Sequence, residues 1–171
     1  MKAAIMKVSM LKFSLRTLLC ITLITSLISC GFHLRGTSDV SFSSIFIQGN
    51  TLTISKNLKK SLTTNGVKVL ESAEGAELLL ETVGEESEKR ILSLSGRGVV
   101  NEFELYYRVH YRTKAADAPL WSQVQTVEAR RDYSYSDANL LAKQGEEKRL
   151  NENMQADVLS NLMRRLSALK K

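Results

Sequence analysis

Between Val99 and Arg112 the side chains alternate in kind. Val99, Phe103, Leu105, Tyr107, Val109 and Tyr111 fall on one parity, with Asn101 its one polar member. Glu102, Glu104, Tyr106, Arg108, His110 and Arg112 fall on the other. Successive side chains of a strand point to opposite faces, so the run predicts a strand with one face on a core and the other in water. The apolar face then needs a covering layer.

The rest of the chain supplies that layer. Ile45-Phe46-Ile47 reads as a short strand closed by Gln48-Gly49-Asn50. From Thr51 to Thr64 the residues Ile54, Leu58 and Leu62 recur every fourth position among lysines and other polar residues, which predicts an amphipathic helix. Asn65-Gly66 is its stop signal, because glycine accepts positive φ at little cost. Val67–Leu70 reads as a second strand, parallel to the first across the helical crossover. Glu77–Val83 and Ile91–Leu94 are strand pieces around the charged segment Gly84–Arg90, either one long bent strand or two short ones. Ser95-Gly96-Arg97-Gly98 is a turn by composition. Lys114–Pro119 is the next turn, and Leu120–Tyr133 a less regular strand. Ser136–Lys170 reads as helical, with Ser136 at its cap, Gly145 where it would divide, and Met154, Val158, Leu162, Leu166 and Leu169 in one stripe. The expectation is an α+β, two-layer sandwich with two helices on one face of a four-stranded mixed sheet.

Net charge points in the wrong direction until it is divided. The whole chain is +6, but residues 1–29 hold Lys2, Lys7, Lys12 and Arg16 and no acid, which leaves 20 basic against 18 acidic residues beyond them. A nucleic-acid binder needs a basic face on the folded domain itself, so the charge names no nucleic acid as partner. Residues 1–29 have the parts of a secretory signal instead: a basic stretch, then an apolar run from Leu18 to Ile28. That run is too short for a stable membrane span, which needs ~20 mostly apolar residues. It closes on Leu27-Ile28-Ser29-Cys30, which resembles the lipobox of bacterial lipoproteins. There Cys30 would carry a diacylglyceryl thioether and an N-acyl chain. Two or three chains hold a protein firmly where one holds it marginally. The expected organisation is a signal peptide over 1–29 and one lipid-anchored domain over 30–171. Cys30 is the one cysteine in that domain, so no intramolecular disulfide is available to it.

Catalytic patterns are missing. No nucleophile elbow of the G-x-S-x-G kind occurs. Gly96-Arg97-Gly98 opens like a dinucleotide fingerprint but has Asn101 at its third glycine position, and it sits in a hairpin. His110, between Arg108 and Arg112, reads as an exposed strand residue. Glu85, Glu86 and Glu88 read as a solvated loop rather than a cation site. The expectation is a protein that is not an enzyme and has no cofactor or metal.

The run Cys30-Gly31-Phe32-His33-Leu34-Arg35-Gly36 resembles the mature N-terminus of the LptE family, lipopolysaccharide-assembly lipoproteins of Gram-negative outer membranes. The order that follows is similar too: a helix ending in Asn65-Gly66-Val67, a meander, and a last helix with Lys143 near its start. The resemblance implies a periplasmic, lipid-anchored plug inside the β-barrel translocon LptD, supporting barrel assembly and delivery of lipopolysaccharide to the outer leaflet. It implies basic residues that bind the phosphorylated lipid, matched here by Arg97 and Lys143. An arginine between glycines at a hairpin tip is exposed and meets phosphate bidentately, while lysine offers a compact point charge. Lys89, Arg90 and Arg131 would add to one cationic end. Taken singly, each also reads as solvated surface charge. The alternative function is a free-standing lipid- or envelope-binding lipoprotein without a barrel partner.

Overall fold

The structure, a computed structural model, describes residues 40–169. The leader, Cys30 and the Gly31–Gly36 run lie outside the described residues. Five strands and two α-helices follow in the order β1 (Ser44–Gly49), α1 (Ser55–Thr64), β2 (Lys68–Leu70), β3 (Leu78–Leu94), β4 (Val100–Ala115), β5 (Gln125–Ser134) and α2 (Leu140–Ser167). The sheet order is β2-β1-β3-β4-β5. β1 is parallel to both β2 and β3, and β3–β4–β5 is an antiparallel meander. The α+β sandwich stands as expected, with one strand more. Three-residue β2 pairs with β1 and becomes the sheet edge, so crossover and meander form one sheet.

Both helices bury their stripes in a single core. Leu58 and Leu62 of α1 meet Met154, Val158, Leu162 and Leu166 of α2, over Ile45, Leu80, Leu105, Tyr107, Val109, Tyr111 and Val127 of the sheet. The alternation in β4 holds through this region. It ends at the far end of the hairpin, where Val99 is half exposed because the strands outrun the helices.

Element boundaries shift for local reasons. α1 begins at Ser55 and not Thr51, because the Leu52 N–H donates to Ser55 Oγ (2.8 Å) and the Thr53 N–H donates to the Glu85 carboxylate (3.0 Å). Its end follows expectation: the Gly66 N–H donates to the Thr63 carbonyl and the Val67 N–H to the Leu62 carbonyl, with Gly66 at φ +80°. These two bonds are a Schellman motif. The segment Gly84–Arg90 is neither loop nor gap, since β3 runs through it as one 17-residue strand.

β3 bends between Thr82 and Gly84, where its pairing with β4 shifts register. β1 comes closest at the same point. Gly49 (φ +96°) approaches so closely that a Cβ there would lie 2.4 Å from the Thr82 carbonyl oxygen. The bulge changes which parity faces the helices, from Leu78, Leu80 and Thr82 to Glu85, Ser87 and Lys89. β5 starts at Gln125, because residues 116–124 form a loop that folds back on β4 through Ser122 and Thr113. α2 is continuous through Gly145, and a 3₁₀ turn over Asp137–Asn139 leads into it without a side-chain cap from Ser136. Among the described residues no helix is long and apolar enough to cross a membrane.

Candidate functional site

The expected cationic residues gather around the far end of the β3–β4 hairpin, on three different surfaces. Strand alternation separates Lys89 from Arg90. Lys89 shares the helix-facing parity of Leu105, its partner on β4, while Arg90 opposes Glu104 on the uncovered face. The expectation of a single cationic end is therefore corrected: neighbours in sequence sit on opposite sides of the sheet.

On the helix side, Lys89 Nζ lies 2.6 Å from Glu147 Oε2 and 4.2 Å from the centre of the Phe103 ring. The Tyr133 hydroxyl donates to the same carboxylate oxygen at 2.6 Å. Phe103 packs edge-on against Tyr135, with ring centres 5.1 Å apart. Burial pushes the Glu147 carboxyl up, but the hydrogen bonds from Lys89 and Tyr133 outweigh it and hold the group below its ordinary range. One residue away on α2, Glu146 accepts from Lys143 Nζ at 2.8 Å, and Ser134 Oγ lies 3.0 Å from the same ammonium. Lys143 is thus half-buried and held, not the freely exposed point charge expected. Arg131, further along β5, pairs with Asp157 of α2.

The uncovered face is a lattice of ion pairs. Arg90 grips Glu88 through two bonds of 2.5 and 2.7 Å and stacks over Tyr106. Arg108 reaches Glu86 at 3.5 Å, Glu88 at 3.2 Å and also Glu128. Arg112 pairs with Glu81, and Arg130 with Glu104. His110 is half-buried in this lattice rather than exposed, its Nδ1 2.8 Å from Thr126 Oγ1 and its Nε2 3.4 Å from Glu86. The three glutamates expected in a loop are strand residues: Glu86 and Glu88 serve Arg108, while Glu85 faces the helix layer and binds Thr53 and Tyr107. Among the described residues no group of three His, Cys, Asp or Glu side chains is arranged to hold a metal ion.

Arg97 stands apart. Gly98 (φ +77°) and the Gly98 N–H to Ser95 carbonyl bond close the turn, which leaves Arg97 exposed at the tip. Its guanidinium makes no ion pair among the described residues. Around it the large apolar side chains Ile91, Leu92, Leu94 and Val99 are exposed, as are Leu140 and Leu141 at the start of α2. Sequence reading missed this apolar fringe, and it missed Glu146 and Glu147. The Lys143–Glu146 spacing of three on a helix was a usable signal. The Lys89–Glu147 pair spans 58 residues and had none.

Comparison with known proteins gives a consistent result. A family model for lipopolysaccharide-assembly LptE proteins matches residues 42–166. No match was found among curated proteins. Among solved structures, lipoprotein B of Nitrosomonas europaea is similar at 38% identity, with 81% of this chain and 91% of that chain covered and a TM-score of 0.71. The rare lipoprotein B of Shewanella oneidensis is similar at 23% identity, covering 73% and 94%, with a TM-score of 0.65. A minor lipoprotein of Acinetobacter baumannii reaches 20% identity, covering 75% and 93%, with a TM-score of 0.60. The last two likenesses speak for the fold alone.

Proposed function

Because the chain belongs to the lipopolysaccharide-assembly LptE family, we propose that it is an outer-membrane lipoprotein, acylated at Cys30, that plugs the LptD barrel, supports its assembly and helps deliver lipopolysaccharide to the outer leaflet. It does so by binding, not by catalysis. The observation that carries this reading is the hairpin end, where Arg97, without an ion pair among the described residues, stands among exposed Ile91, Leu94 and Val99. A phosphorylated lipid offers both matching chemistries, phosphate for the guanidinium and acyl chain for the apolar fringe. Lys89 and Lys143 lie behind the tip as further cations, each held by a glutamate that phosphate would have to displace.

Two features support the plug. The 17-residue β3 is roughly 55 Å long at about 3.3 Å per residue, enough to span the ~40–45 Å of a bilayer with its headgroups. A domain tethered at one leaflet and upright in a barrel therefore reaches the other. The uncovered face of the sheet, paved with paired charges, suits the polar interior of a large barrel. The free-standing alternative needs a groove for acyl chains beside the cations. The apolar cleft of about 460 Å³ between Phe42, Leu78 and Leu169 is at the opposite end of the sheet.

The test is purification of the tagged chain from detergent-extracted outer membranes. A large heat-modifiable barrel protein is expected to accompany it in constant ratio. Recovery of the chain alone under conditions that preserve other outer-membrane complexes overturns the plug.

A further inference from the structure

We infer that the end of the domain opposite the hairpin tip makes a second, shallow contact with the membrane through Leu120 and Trp121, alongside the anchor. The inference rests on the reading of Cys30 as the acylated residue.

Parallel β1 and β3 both begin at this end, and β4 finishes there, with Ala115 opposite Leu78. The described chain starts at Val40 beside them. Residues 116–124 therefore share an end with the point where the chain arrives from Cys30. Ser122 bonds back to Thr113 in both directions, at 2.8 and 3.0 Å, which fixes the loop against β4. Trp121 stacks on the Arg112 guanidinium at 5.2 Å. Leu120, at the apex, is left 78% exposed, and Val124 is 53% exposed. The apolar lining of Ala115, Ala116 and Phe42 continues inward from the loop as the cleft described above.

An exposed leucine alone means little on a protein surface. Its position gives it meaning here. Cys30 to Val40 is ten residues, a span of at most about 35 Å, so a chain acylated at Cys30 holds Val40, and the end of the sheet where it sits, within that reach of the membrane. A contact too weak to recruit a protein becomes effective once a tether raises its local concentration. Tryptophan is enriched at the headgroup boundary, where its amphipathic ring settles, and the exposed Leu120 beside it supplies apolar surface to insert. Charge contributes little: Lys68 opposite Ser44 and Lys114 opposite Leu79 border this end, while Glu77 and Asp117 line the cleft beside the loop. The occupant is thus a lipid surface met by apolar insertion, and the contact should survive high salt.

Trp121 is the single tryptophan of the chain, so its fluorescence reports this loop alone. The processed chain, purified from membranes, is reconstituted into phosphatidylethanolamine–phosphatidylglycerol vesicles with or without bromine near the headgroup end of the acyl chains. Flotation with the vesicles reads the anchor, and quenching reads the loop. The expected result is severalfold quenching by brominated lipid, unchanged in high salt. Leu120→Asp is expected to float equally, keep the wild-type melting temperature and lose the quenching. Floated chain with equal emission in both lipids overturns the contact, as does a Leu120→Asp chain quenched like wild type. Chain that does not float refutes the anchor, and the contact with it.

Discussion

The Lys89 ammonium and the Glu147 carboxylate meet at 2.6 Å across the gap between β3 and α2, over the face of Phe103. Burial works against the charge on Lys89, yet Glu147 and Tyr133 overcome it and raise the ammonium above its ordinary range. The lysine is therefore charged and already occupied. Any anion arriving at this end competes with a carboxylate built into the fold.

That competition predicts the direction of an unusual variant. Glu147→Gln leaves Lys89 charged and removes its internal counter-ion, so lipopolysaccharide binding should tighten about two- to fivefold, the scale of a partly exposed ion pair. Lys89→Ala should weaken binding. Titration of both variants with purified lipopolysaccharide checks the pair, and equal affinity in wild type, Glu147→Gln and Lys89→Ala would take Lys89 out of the lipid site.

Arg97 and Lys143 should separate in the same titration. Arg97→Ala removes a side chain without an ion pair among the described residues and is expected to lower lipid affinity while the melting temperature stays within about 1 °C. Lys143→Met loses bonds to Glu146 and Ser134. It should cost roughly 0.5–1 kcal/mol in denaturant unfolding and weaken lipid binding less than Arg97→Ala. A larger binding loss at Lys143 would mean that the glutamate is no obstacle to the lipid.

What was legible in the sequence follows from range. The Asn65-Gly66 helix stop, the alternation of β4 and the apolar stripe of α2 are local patterns, and each appears in the fold where its residues put it. The path of Gly84–Arg90 was open because its charges look like a loop. They are strand charges, satisfied by Arg108 and by Thr53, partners that only the sheet register and the β1–α1 connection bring near. Lys89 and Arg90 adjoin in sequence, yet the two-residue period of a strand divides them between faces. The strand expected over Leu120–Tyr133 begins only at Gln125, because the Ser122–Thr113 bonds and the Trp121–Arg112 stack hold residues 120–124 as a loop. Cys30 rests on local pattern alone.

The close approach of Gly49 to Thr82 predicts a glycine that cannot be replaced. Gly49→Ala combines a disfavoured φ with a carbonyl 2.4 Å from the new Cβ. A loss of about 2–3 kcal/mol is expected in chemical denaturation. Gly66→Ala is the control, because its φ is also positive while nothing lies within 4 Å of its Cβ. Its cost should be near 1 kcal/mol from conformation alone. Equal losses at the two sites would show that β3 yields at the bulge.

Glu85 gives stability a defined pH dependence. Burial pushes its carboxyl up, but hydrogen bonds from the Thr53 hydroxyl, the Tyr107 hydroxyl and the Thr53 N–H together bring it below its ordinary value of 4.5. A carboxylate more acidic in the folded chain stabilises the fold above its unfolded value, and that contribution fades as pH falls through the folded value. Glu85→Gln should therefore cost about 1.5–3 kcal/mol near neutral pH, the scale of hydrogen bonds to a charged group. The gap between variant and wild type should narrow steadily below pH 4.5. Tyr107→Phe removes the donor at 2.5 Å and should reproduce part of the neutral-pH loss. Because both side chains belong to one network, the double variant should lose less than the sum of the two. Urea unfolding at a series of pH values measures each term. A Glu85→Gln deficit that stays constant into acid would mean that the side chain acts through its packing, with the charge making no difference.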